Sequence, residues 1–203
     1  MRDLIIAISN LDNLQYLFFR YLIIYSDAKG SFLFDKPSMV FEEGVETPNY
    51  AIRKVGGELF RHPVSFSTHQ NNLHIRLLSI QSVDASQPYF VQLSSFVVRN
   101  REYLKKLFLN GALDSLRLLD KDESKLLLLK VNGRLELSEG EVRNLMEEGV
   151  GRFSNIIERK LKPSLNELSN KLNIHTAYAT RRKNGVATIT IELINKHLDY
   201  EQI

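Results

Sequence analysis

Six cations in the last third of the chain are the side chains best placed, by type and spacing, to do chemistry, and that chemistry is contact with phosphate. Arg159, Lys160 and Lys162 close a helical stretch, while Arg181, Arg182 and Lys183 run directly into Asn184-Gly185. Asn-Gly is a strong hairpin signal, because a type I′ turn needs φ > 0 at both central residues, which Asn tolerates and Gly accepts freely. A folded hairpin would gather three cations near one tip. Cations on stiff backbone lose little entropy when they meet a phosphate chain and release its counterions. The competing explanation is structural: cations suit a helix C-terminus through its dipole, and charge protects hairpin tips and strand edges from aggregation.

Other chemistry-bearing residues fall short of a motif. His62, His69 and His74 share one β-like stretch, with His175 and His197 elsewhere, but no pair has metal-site spacing and nothing fixes a third ligand. Glu42, Glu43 and Glu46 cluster near Asp35, and Asp120, Asp122 and Glu123 share a loop; either set could divide acid and base roles in a cleft, though acidic loop residues are usually solvated. Gly56-Gly57 follows a strand candidate without a Lys-Ser/Thr pair behind it, and Gly149-Val150-Gly151 lies inside a helical pattern, so neither is a phosphate loop. No serine stands in a nucleophile motif. The chain has no cysteine, which excludes disulfides, thiolate metal sites and Cys nucleophiles. No cofactor or metal is expected.

The elements that must position the cations can be read from periodicity. Leu4–Ile8 is an aliphatic run that suits a buried strand or a helical turn. Ser9 or Asn10 then offers an N-cap to a helix with Leu11, Leu14, Phe18, Tyr21, Leu22 and Tyr25 on one face, ending near Asp27. Its aromatic residues are numerous enough to serve a core and an interface. Short β-like runs follow at Ser31–Phe34, Met39–Glu42, Tyr50–Val55, Glu58–Arg61, Val64–Thr68, Leu73–Ser82 and Tyr89–Val98, with a hairpin loop at Gln70-Asn71-Asn72. Arg101–Asp120 is helical, bent or capped at Asn110-Gly111. A first Asn-Gly turn, Asn132-Gly133, divides Lys125–Val131 from Arg134–Leu137 and predicts another hairpin. Ser138 with Glu141 reads as a capping box for a helix along Val142, Leu145, Met146, Val150, Phe153, Ile156, Ile157 and Leu161. Pro163 should end or kink it, and Ser164 with Glu167 offers a second box.

A helix followed by a basic hairpin resembles the plan of a winged-helix DNA reader, in which the hairpin contacts phosphates and the helix enters a groove. The helices before it do not read as a clean three-helix set, and Glu158 and Glu167 dilute the helix charge.

The expected class is therefore α+β: an N-terminal helix, a central, mostly antiparallel sheet, and C-terminal helices flanked by two Asn-Gly β-hairpins. Residues 1–203 read as one domain, or as 1–100 and 101–203 where β-type patterning gives way to helical patterning. With 43% hydrophobic and 25% charged residues the chain is an ordinary globular one, and its net +3 gathers in residues 151–203. The N-terminus does not suit a signal peptide and no segment approaches the roughly 20 apolar residues that span a bilayer, so a cytoplasmic, soluble protein with no membrane contact is expected. The expected function is non-catalytic nucleic-acid binding, to DNA or RNA, alone or as a subunit of a nucleoprotein assembly, through Arg181, Arg182 and Lys183 with help from Arg159, Lys160 and Lys162. The alternatives are a scaffold or homo-oligomer joined through apolar helix faces, and an enzyme with a carboxylate- or histidine-based site.

Overall fold

The computed structural model describes residues 2–36, 38–41, 44, 46–67, 72–82, 88–131, 133–146, 149–183 and 186–194. It is α+β with every strand pairing antiparallel, and it divides into two compact units, Asp3–Asp114 and Ser115–Ile203. Among the described residues no helix is long and apolar enough to cross a membrane.

The first unit opens with α1 (Arg2–Ser9), so Leu4–Ile8 is helical, and α2 (Asn13–Tyr25). Asp12, not Ser9 or Asn10, caps α2, its carboxylate accepting from the Gln15 N–H. After β1 (Ser31–Phe34), β2 (Ser38–Val40) and β3 (Glu46–Pro48) comes α3 (Asn49–Arg61). This corrects the two strands expected at Tyr50–Val55 and Glu58–Arg61. The reason lies in Gly56-Gly57, a pair that reads as a break but is used for close packing. A Cβ on Gly56 would overlap the hydroxyl of Tyr89, which is buried and donates to Gln81 Oε1 at 3.0 Å. Burial raises that phenol to a pKa of about 12, against the lowering influence of the Arg53 guanidinium, 5.1 Å from the ring centre.

Next come β4 (Val64–Ser67) and β5 (Asn72–Ile75), paired with Ser67 opposite Asn72, as the hairpin expected there requires; Gln70 and Asn71 lie outside the described residues. Then follow β6 (Leu78–Gln81) and β7 (Tyr89–Leu93), which pairs with β1 on one side and β6 on the other. β7 stops at Leu93, because Ser94 caps α4 (Ser95–Arg99) by accepting from Val97 N–H. α5 (Arg101–Leu109) and α6 (Ala112–Arg117) part at Asn110-Gly111, where the sequence places a break. The core of this unit is Phe18, Phe19, Leu22, Ile52, Val91 and Phe108, all at most 1% exposed.

The second unit runs helix, strand, helix, helix, strand, strand. α7 (Asp122–Lys130) leads into β8 (Gly133–Ser138), so the first Asn-Gly turn joins a helix to a strand and the hairpin expected there is not formed. Leu126–Leu129 is too short a run for periodicity to separate helix from strand. Asp122 and Glu123 in the first turn and Lys130 in the last match the helix dipole. Gly133 takes φ +74°, the left-handed conformation that glycine adopts without a Cβ clash; Asn132 lies outside the described residues.

α8 (Glu139–Leu145) begins with the capping box read from the sequence: Glu141 N–H donates to Ser138 Oγ, and Ser138 N–H donates to Glu141 Oε2 at 2.8 Å. The chain then leaves the helix before Gly149, and a second helix starts at Phe153, so the single long helix expected over Val142–Leu161 is two. α9 (Phe153–Ile156) passes through a π-helical turn, Ile157–Leu161, into α10 (Lys162–Leu172), without ending at Pro163. An α-helical Pro163 would lack its N–H and press its ring on the carbonyl four residues back. The wider turn, in which Lys162 N–H reaches Ile157 O, shifts the register one residue ahead of the proline. Asn173, at φ 54°, ends α10.

β9 (His175–Lys183) and β10 (Val186–Ile194) then pair with Lys183 opposite Val186, the spacing of a two-residue hairpin loop; Asn184 and Gly185 themselves lie outside the described residues. β10 is central, in the order β8-β10-β9. Ile189, Ile191 and Leu193 face the helices, with Leu137 opposite Ile189. The first unit's sheet has the same plan: first strand at one edge, last strand in the middle, penultimate strand at the other edge.

Candidate nucleic-acid interface

Three helices, α7, α8 and the continuous α9–α10, stand against a three-stranded sheet whose last two strands form the basic hairpin. In chain order the basic hairpin follows these three helices directly. Local contacts fix the α9–α10 helix at both ends. At its start, Arg143 is held by Glu139 at 2.6 Å and donates to Gly151 O at 2.9 Å, with its guanidinium 5.9 Å from the Phe153 ring centre. Towards its end stands Glu167, 9% exposed, which serves no capping box of its own helix. It accepts instead from Asp120 N–H at 2.6 Å, Lys121 N–H at 3.4 Å and Ser124 Oγ at 2.5 Å, thereby capping α7 from outside. Burial pushes the Glu167 carboxyl up; those donors and Lys171, 3.7 Å away, outweigh it and leave it below the ordinary value. Lys125 beside it is 2% exposed, and burial lowers its pKa despite Asp122 at 3.7 Å.

The six cations have different surroundings. Lys160 is turned to structure: its Nζ donates to Met146 O at 2.8 Å and pairs with Glu123 at 3.3 Å. Lys162 Nζ lies 2.5 Å from Glu158 Oε1 and also hydrogen-bonds Tyr178, contacts that raise its pKa, Glu158 first. Tyr178 belongs to β9, so Lys162 ties the helix to the hairpin's edge strand. Arg159, Arg181 and Arg182 are exposed. Adjacent strand residues point to opposite faces, so Arg182 shares the Tyr178 face about 13 Å further along, while Arg181 belongs to the other face. Lys183 closes β9 opposite Val186. The arrangement thus brings Lys162 and Arg182 to one side of the hairpin, beside the helix that carries Arg159.

The exposed face of that helix holds more than cations. Arg152, Ser154, Asn155, Glu158 and Arg159 are exposed in its first two turns, and Asn166, Ser169 and Asn170 beyond them. Arginine, asparagine and serine are side chains that hydrogen-bond base edges in a major groove. Charge patterning alone does not single out Arg152, Ser154 and Asn155. The signal available for them was the complement of the apolar stripe: polar residues on the far side of a helix that precedes a basic hairpin.

Among the described residues the other candidate chemistries find no assembled site. His62, His74 and His175 are exposed, and among the described residues no three His, Asp or Glu side chains come close enough to hold a metal ion; His69 and His197 lie outside those residues. Asp120, Asp122 and Glu123 each pair with a lysine, Lys171, Lys125 and Lys160 respectively. Glu46 accepts from Ser38 Oγ, and Glu42 and Glu43 lie outside the described residues. No known family model matches the chain, and no curated protein matches its sequence.

Proposed function

We propose that this chain is a non-catalytic, sequence-reading DNA-binding protein, of the kind that marks a site for a nucleoprotein assembly. Its second unit would set the α9–α10 helix in the major groove and lay the β9–β10 hairpin along the phosphates. The observation that carries this is the polar exposed face Arg152–Arg159 on a helix whose apolar side is packed and whose neighbour is a basic two-stranded hairpin. A helix about 10–12 Å across fits the roughly 12 Å major groove of B-form DNA, whereas the deep, narrow major groove of A-form RNA does not admit it. Duplex DNA is therefore the favoured partner, and a cytoplasmic location goes with that reading. The first unit repeats the sheet plan, and its α3 exposes Tyr50, Lys54 and Arg61.

The test is fluorescence anisotropy with duplex DNA, duplex RNA and single strands over a salt series. Contacts from Arg159, Arg181 and Arg182 predict an affinity loss of about 40-fold between roughly 50 and 200 mM salt, on duplex DNA above all. Binding that ignores salt, or that prefers duplex RNA, refutes the proposal.

A second, compatible reading is self-association through the first unit. Leu17, Tyr21, Ile24, Tyr25 and Phe41, together with Arg20, line a mostly apolar groove, and Leu33 and Val40 are more than half exposed. A dimer that Tyr25→Asp abolishes supports it, and a strictly monomeric chain at all concentrations removes it.

A further inference from the structure

Among the groups that the proposed interface does not use, Glu158 is the one out of place. The helix Phe153–Leu172 has two carboxylates; Glu167 is buried against α7, and Glu158 stands on the exposed face between Asn155 and Arg159. Its side chain is 61% exposed, so burial does not require it there, and its partner Lys162 is also held by Tyr178. A carboxylate on a surface that meets a polyanion repels phosphate and occupies a lysine that could otherwise displace a counterion. Both effects weaken binding to any sequence. In the major groove, however, a carboxylate can accept from the amino group of cytosine, so the right base pair returns what a wrong one does not.

We propose that Glu158 is a specificity-determining residue: it suppresses binding to unrelated duplex DNA, by repulsion and by holding Lys162, and favours a site that presents a cytosine to it. This rests on the reading of the helix–hairpin face as a duplex-DNA interface. In Glu158→Gln the ion pair is gone, the side-chain volume is kept and Lys162, retaining only its neutral Tyr178 contact, can meet a phosphate.

The experiment uses the full chain, wild type and Glu158→Gln. A preferred duplex is first selected by the wild type from a random-sequence pool. Anisotropy then gives the affinities of both proteins for that duplex and for a mixed-sequence duplex over a salt series, and circular dichroism confirms that both are folded. Glu158→Gln is expected to bind the mixed duplex about three- to tenfold more tightly, with a salt slope steeper by about 0.9 for the one cation released. The ratio of selected-site to mixed-site affinity should fall by about tenfold. Wild-type binding with an unchanged ratio and slope in the variant overturns the role of Glu158 and leaves the interface standing. Absence of salt-dependent duplex binding by either protein overturns the interface and this inference together. A Lys162→Gln variant separates the two effects: its slope should stay near the wild-type value, since that lysine is already occupied, and a slope shallower by about 0.9 would contradict the masking.

Discussion

Glu167→Ala should loosen the second unit at a defined place. The carboxylate is 9% exposed and receives three donors from the start of α7, two of them at 2.6 Å or less. A hydrogen bond to a charged group contributes about 1.5–3 kcal/mol. Because the Lys121 contact is long and the truncated site admits water, the expected loss is about 3 kcal/mol and not the sum of three bonds. Glu167→Gln retains one acceptor oxygen and should lose about 1–2 kcal/mol. The pH dependence follows from the sign of the shift. The folded-state value lies below the ordinary 4.5, so the stabilisation is complete above that pH and is lost as pH falls through the folded value. Urea unfolding followed by far-UV circular dichroism at neutral pH and near pH 3 would measure both effects, and amide exchange at Asp120 and Lys121 would localise them. A neutral-pH deficit under about 1 kcal/mol refutes the reasoning, as does a deficit that does not shrink in acid or exchange at those amides that does not change.

Gly56→Ala should destabilise the first unit by about 2 kcal/mol or more through overlap with the Tyr89 hydroxyl, and Tyr89→Phe in the same chain should recover part of that loss; additive costs in a double-mutant cycle would contradict the contact. Lys160→Ala should lower stability by about 1 kcal/mol while leaving the salt slope of duplex binding unchanged, whereas Arg159→Ala should make that slope shallower by about 0.9 with little effect on stability; the reverse pattern would exchange their roles. Ser138→Ala removes the α8 cap and should cost about 1 kcal/mol in a urea titration, and no measurable change would mean that Glu141 does not depend on it.

What was legible in the sequence is what neighbouring residues decide among themselves. Ser31–Phe34, the Ser138/Glu141 box and the pairing around Asn184-Gly185 stand where they were expected because a turn or cap is specified within a few residues. Most of the failures involve distant partners. Gly56-Gly57 reads as a break until Tyr89 arrives to occupy the space. Leu126–Leu129 serves a strand or a helix equally until α10 and Glu167 meet its first turn. Pro163, expected to end or kink the helix, does not end it, because a π-helical turn widens the helix by a residue just ahead of it. The candidate site divides in the same way. Six cations were visible as charge, and only tertiary structure turns Lys160 inward and ties Lys162 to Tyr178, whereas the Lys162–Glu158 pair is a local contact four residues apart. Arg152, Ser154 and Asn155 became candidates once the buried side of their helix was known.

The central claim is that one helix face and one hairpin meet duplex DNA. Amide chemical-shift mapping of the full chain during titration with its selected duplex at low salt tests it most directly. Shifts concentrated at Arg152, Ser154, Asn155, Arg159, Arg181 and Arg182, reversed by added salt, are the predicted result. A saturating duplex that leaves those residues unmoved, or that moves only residues on other surfaces, would contradict it.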